Sequence, residues 1–88
     1  MKIMKMYRIY TENKNLEGIK EILNRTFNAY TLFEGLGVWR GTEEKNLTIE
    51  ILSEIAPMYL ALVVYDIKKA NNQEAVLLTW YEVESRLI

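Results

Sequence analysis

Two stretches of helical spacing, each set between segments that alternate apolar and polar residues, constrain this chain more than any other feature. Leu16, Ile19, Ile22, Leu23 and Phe27 recur on one helical face, with Glu17, Lys20, Glu21 and Asn24 on the other. That spacing predicts a helix over residues 16–27. Asn13 and Asn15 precede it as turn or N-cap residues, whose side-chain oxygens can accept from free helical N–H groups. A second stripe is formed by Leu60, Val63, Val64 and Ile67. Pro57 suits the first turn of this helix, where a missing N–H costs nothing, and Lys68 and Lys69 suit its negative C-terminal end. Asn71-Asn72 is a stop signal. Met58, Ala61, Leu62 and Tyr65 widen the stripe, which predicts burial of a second face. Val63-Val64-Tyr65 would also suit a strand, and that alternative stays open here.

The flanking segments have the two-residue period of strands. Ile3 to Thr11 places Ile3, Tyr7 and Ile9 on one side and Met4, Met6, Arg8 and Tyr10 on the other. Tyr30 to Phe33 reads as the next strand. Gly35, Gly37 and Gly41 punctuate the stretch after it, which suggests a bend, a bulge or a close backbone approach around Val38 and Trp39. Asn46 to Ser53 alternates again, so these segments form a hairpin with its turn around Arg40 to Lys45. Ala75 to Val83 is the last strand, and Glu84 to Ile88 is a tail suited to packing on a neighbour.

The element order is β-α-β-β-α-β. With right-handed crossovers it predicts an α+β, ferredoxin-like βαββαβ sandwich: a four-stranded antiparallel sheet with two helices on one face. Eighty-eight residues make this one domain, residues 1–88. The other face would carry Tyr10, Thr48, Glu50 and Thr79, or their neighbours if the register shifts by one. Glu50 in an apolar strand needs a partner such as Arg8 or a Lys if that face is covered. A chain this short has a marginal core alone, and two Trp, six Tyr and two Phe are many aromatics for it. Part of that surface is expected in a subunit interface.

Composition excludes several chemistries. With no Cys and no His there is no disulfide framework, no thiolate nucleophile, no Cys-type zinc site and no imidazole for proton transfer. Ser53, Ser85 and the threonines therefore have no His to activate them. Glu34, Glu43, Glu44, Glu50 and Glu74 remain as acid–base candidates, or as oxygen ligands for a divalent cation, against the plainer reading of solvated loop charges. The net charge of −1, without a basic run, argues against duplex DNA. Met1 to Tyr10 alternates and lacks an apolar signal-peptide core, and the longest apolar run, Met58 to Tyr65, is far below the roughly 20 residues that span a bilayer. A soluble cytoplasmic protein, with no membrane partner and no cofactor, is the expectation.

Three segments could bind a ligand. In Trp39-Arg40-Gly41 the indole can stack on a planar ring, the guanidinium can fork onto a phosphate, and glycine lets backbone N–H groups approach an anion. The plainer reading has Trp39 in the core, Arg40 as surface charge and Gly41 in the turn. Asn71-Asn72-Gln73-Glu74 is dense in donors and acceptors that could read a base edge or a sugar hydroxyl, or could simply cap a helix. Gly35-Leu36-Gly37 lacks the strand–turn–helix context and the Lys-Ser/Thr of a phosphate loop. Tyr7, Tyr10, Trp80 and Tyr81 could stack RNA bases, but the basic–aromatic motif of sheet-type RNA binders is missing, so nucleic acid is not the expected partner.

Tyr30-Thr31, Val38-Trp39-Arg40-Gly41, Glu44, Leu47-Thr48-Ile49-Glu50-Ile51 and Gln73-Glu74-Ala75-Val76 resemble segments of the trimeric PII-type and CutA-type ferredoxin-like proteins. The likeness spans residues 4–81 in element order and is sharpest at the W-x-G step. It implies a trimer whose sheets pack inward, with nucleotide-binding clefts between subunits. The usual proline-bearing loop before the last strand is replaced by Asn71-Asn72-Gln73-Glu74, and no copper-ligand set is present. The expectation is a non-catalytic homo-oligomer that holds a small anionic, nucleotide-like ligand through Trp39, Arg40, Gly41, Asn71, Asn72, Gln73 and Glu74. It would act as a sensor or as a phage-type sponge of a signal nucleotide. The alternative is a module that assembles or inhibits a protein partner.

Overall fold

The computed structural model describes residues 2–88; Met1, the first residue of the alternating opening segment, lies outside them. The order is β1 (Lys2–Glu12), α1 (Leu16–Asn24), β2 (Thr31–Trp39), β3 (Thr42–Ser53), α2 (Pro57–Ala70) and β4 (Leu77–Ser85). The strands form one antiparallel sheet in the order β2-β3-β1-β4. This is the expected ferredoxin-like sandwich.

One face of the sheet meets the helices. Tyr7 and Ile9 of β1 and Leu47, Ile49 and Ile51 of β3 are fully buried against Ile19 and Leu23 of α1 and Leu60 and Ile67 of α2. Each such aliphatic side chain contributes about 1.5–3 kcal/mol by leaving water. Tyr7 also satisfies its hydroxyl, which donates to the Ile55 carbonyl.

The opposite face is bare. Phe33 on β2, Leu52 on β3 and Leu77 and Tyr81 on β4 are exposed there. At its middle the Arg8 Nε donates to Glu50 Oε2 at 3.0 Å, and the Arg8 guanidinium lies 5.4 Å from the Tyr81 ring centre. Glu50 therefore has the partner its place in an apolar strand calls for.

Several local expectations need correction. The first helix stops at Asn24, and Phe27 reaches the core from a turn whose N–H groups return to Leu23. Asn15 occupies the N-cap in the left-handed conformation, yet its side chain makes no capping bond and instead lies over Gly18, where a Cβ would meet it at 2.5 Å. Gly35 and Gly37 introduce no bulge, because the ladder from Thr31↔Glu50 to Trp39↔Thr42 keeps one register. The hairpin turn is correspondingly tight, with only Arg40 and Gly41 between the strands. Residues 57–70 are helical, not extended; Met58, Leu62 and Tyr65 face outward, so no second face of α2 is buried within the chain. The last strand starts two residues late, at Leu77. The four aromatics proposed as a stacking platform are split: Tyr7 and Trp80 share the helix side with ring centres 6.4 Å apart, while Tyr10 and Tyr81 lie on the bare side.

Candidate functional site

The β2–β3 hairpin is longer than the sheet that supports it. β1 ends at the pair Glu12↔Asn46, so the rungs from Leu36↔Lys45 to Trp39↔Thr42 form a two-stranded ribbon beyond it. At its tip Arg40 has φ 50° and Gly41 has φ 78°. Two successive positive φ values mark the two-residue turn whose twist matches a hairpin, a place that glycine, asparagine or aspartate normally fills. Trp39, 50% exposed, is not a core residue, and the Arg40 guanidinium lies 5.4 Å from its ring centre.

The α2–β4 connection meets this ribbon at the same end of the sheet. The helix closes with the paired bonds of a left-handed cap: Asn72 N–H to the Lys69 carbonyl at 3.2 Å and Gln73 N–H to the Lys68 carbonyl at 3.0 Å, with Asn72 at φ 52°. Asn71 is buried; its Nδ2 donates to Gln73 Oε1 at 2.9 Å, and its Oδ1 has no partner. The Thr11 hydroxyl donates to the same Gln73 oxygen, and Gln73 Nε2 donates to the Ala75 carbonyl at 3.3 Å. Gln73 is thereby fixed to β1 on one side and to its own loop on the other.

Between ribbon and loop lies a cleft of about 520 Å³. Tyr10, Thr11 and Glu12 line it from β1, Gly37, Val38 and Trp39 from β2, Glu44 and Asn46 from β3, and Gln73 to Leu77 from the α2–β4 segment. Arg40 Nη2 and Glu74 Oε1 close one side at 3.1 Å. Both side chains are about two-thirds exposed, at 69% and 66%, so this pair is worth only about 0–1 kcal/mol. Lys14 Nζ, 3.0 Å from Glu12 Oε2, holds the Glu12 carboxyl below its ordinary value, helped by Glu44. The neighbouring Glu12 carboxylate in turn holds Glu44 above its own.

Of the residues singled out in the sequence, Trp39, Gln73 and Glu74 line the cleft, and Arg40 reaches it through Glu74. Gly41 sits in the turn, Asn72 in the helix cap, and Asn71 beneath Gln73. Both walls of this cleft come from one chain, whereas the resemblance implied clefts between subunits. Thr11, Glu12 and Leu77 were not anticipated as binding residues. Thr11 carried a signal: it is the polar residue in the inward series Tyr7, Ile9, Thr11, and a buried hydroxyl there needs a partner. Of the candidate acids, Glu44 and Glu74 line the cleft, and Glu34 and Glu50 do not. Glu34 accepts from Asn13 Nδ2 at 3.0 Å, Glu50 is held by Arg8 and Glu74 by Arg40, while Glu44 meets Glu12. Among the described residues no three His, Cys, Asp or Glu side chains gather as a metal site, and no helix is long and apolar enough to cross a membrane.

No protein-family model and no curated protein sequence matches the chain. Solved structures do, at the level of fold. A DUF3240 family protein from Shewanella baltica OS155 superposes with a TM-score of 0.75 at 11% identity, over 100% of this chain and 98% of that one. CPII, a nitrogen regulatory PII-like protein from Thiomonas intermedia K12 bound to ADP, AMP and bicarbonate, gives 0.72 at 13% identity over 99% and 98%. A second CPII structure, bound to ADP and bicarbonate, gives 0.68 at 11% over 93% and 87%. The PII-like form of the ferredoxin-like fold is thus shared over nearly the whole chain.

Proposed function

We propose that this chain binds a nucleotide in the cleft between the β2–β3 ribbon and the α2–β4 loop, without turning it over, and that it works as a homo-oligomer assembled through its bare sheet face. The observation that carries this reading is the convergence of an exposed indole, a guanidinium and a fixed amide on one concave site. Trp39 offers a stacking face, Arg40 a fork for phosphate, and Gln73 an oriented amide beside the apolar Val76 and Leu77. The PII-like CPII structures, which share the fold, hold ADP with bicarbonate. A regulatory or sequestering role suits a site whose chain has neither His nor Cys. The apolar bare face, with the Arg8–Glu50 pair at its middle, supports assembly, and the trimer is the state we favour.

The test is native mass spectrometry of protein purified gently from cells, followed by calorimetry with a nucleotide panel. A trimer carrying a few hundred daltons per site, and micromolar or tighter nucleotide binding lost in Trp39→Ala, is the expected result. A bare assembly indifferent to every nucleotide overturns it.

A second reading, a protein-binding module, is favoured by the outer face of α2, where Met58, Tyr59, Leu62 and Tyr65 stand exposed together. Replacing Leu62 and Tyr65 with Ser would then abolish capture of one specific protein while leaving nucleotide binding untouched.

A further inference from the structure

The cleft presents a charge problem to a nucleotide. Its lining holds three carboxylates, Glu12, Glu44 and Glu74. The two cations nearest to them are already engaged, Lys14 by Glu12 and Arg40 by Glu74. An anion entering here gains little until one of those cations changes partner.

Resting on the nucleotide-binding reading, we propose that Glu74 is a built-in stand-in for the ligand's phosphate: the phosphate displaces the Glu74 carboxylate from Arg40, and this exchange sets which nucleotides bind. Four features of the site support it. The Arg40–Glu74 pair is largely in water, so the displaced carboxylate is rehydrated and no buried charge is stranded. The bond uses one guanidinium nitrogen, at 3.1 Å, whereas the five donors of that group fit a phosphate through two parallel bonds. Trp39 flanks the guanidinium at 5.4 Å and holds it over the ring while the partners change. Glu74 is also the first residue beyond the fixed Gln73 and belongs to no helix or strand, so its side chain can turn away without disturbing the helix cap.

The same arrangement sorts ligands by charge. A nucleoside without phosphate cannot replace Glu74 and gains nothing from Arg40. A triphosphate outcompetes a single carboxylate, and a monophosphate does so less well. Removing the carboxylate should tighten binding of the phosphate-bearing ligands, the triphosphate most, and leave a nucleoside unaffected.

The experiment is calorimetry of the wild-type chain and Glu74→Gln with ATP, AMP and adenosine at fixed ionic strength. Both residues are exposed, so the variant folds as the parent does. The expected result is ATP affinity raised about two- to fivefold in Glu74→Gln, the scale of an exposed ion pair, a smaller gain for AMP, and unchanged adenosine affinity. Equal ATP affinity in the two proteins overturns the exchange and leaves the cleft reading standing. An equal gain for adenosine and ATP overturns it too, because Glu74 would then act on the nucleoside. No ATP binding to either protein overturns the cleft reading and the exchange together.

Discussion

Arg40 is the residue most out of place by local rules. A side chain with a Cβ at φ 50°, in the first position of a two-residue hairpin turn, is held there against its backbone preference. Asparagine tolerates that conformation far better. Arg40→Asn should therefore keep folding stability within about 0.5 kcal/mol of the parent, or raise it, while nucleotide affinity falls tenfold or more; paired thermal melts and calorimetry check both halves. A fall in stability with affinity intact would mean that Arg40 serves the turn. Tyr7 is the opposite case, a polar group fully committed to the core. Burial raises its pKa above the ordinary 10.0. Above about pH 10 the unfolded chain releases this proton more readily than the folded one, so stability is whole below that pH and declines as pH rises through the folded value. Tyr7→Phe should cost about 1 kcal/mol at neutral pH through the lost bond to Ile55, and should show a shallower alkaline decline in denaturant titrations.

At the scale of elements, most of the architecture was legible, because each core face has one clean period. Ile19, Ile22 and Leu23 at helical spacing, and Leu47, Ile49 and Ile51 at strand spacing, leave little freedom in how the segments pack. The misreadings fall where side chains do not report backbone geometry. Gly35 and Gly37 look like breaks because glycine permits them, yet pairing with Asn46 and Glu44 keeps the strand straight. The apolar outer face of α2 looked like core because composition cannot distinguish burial within a chain from exposure on it. The cleft was half legible. Trp39 and Glu74 stand out in the sequence, but the β1 contribution depends on where β1 ends relative to the hairpin, which no local pattern encodes. Thr11 is the tie between those parts, joining β1 to the α2–β4 loop through Gln73. Thr11→Val preserves its shape and removes that tie. It should lower the unfolding free energy by about 1 kcal/mol in urea titrations and weaken ligand binding in the same protein.

For the molecule as a whole, the bare sheet face decides whether the chain is complete by itself. Gly35 lies on this face, and a Cβ placed there would meet nothing within 4 Å. In an isolated chain Gly35→Val is therefore a strand-stabilising change of about 0.5–1 kcal/mol. In an oligomer packed through this face the same valine enters an interface built around a glycine. Light scattering coupled to size exclusion should find the variant folded and smaller than the parent; an unchanged mass would place the interface elsewhere.

The ribbon beyond Glu12↔Asn46 has a consequence for how the protein breathes. Its rungs from Leu36↔Lys45 to Trp39↔Thr42 lie beyond the end of β1, while Leu47 to Glu50 pair on both sides. Opening it breaks one ladder and uncovers little core, so its amides should exchange with deuterium much sooner than those of β1 and central β3. Ligand in the cleft would slow that exchange in the ribbon and at Glu74 to Val76 together. The arm would thus be the part of the molecule that records occupancy as a change in time rather than in shape.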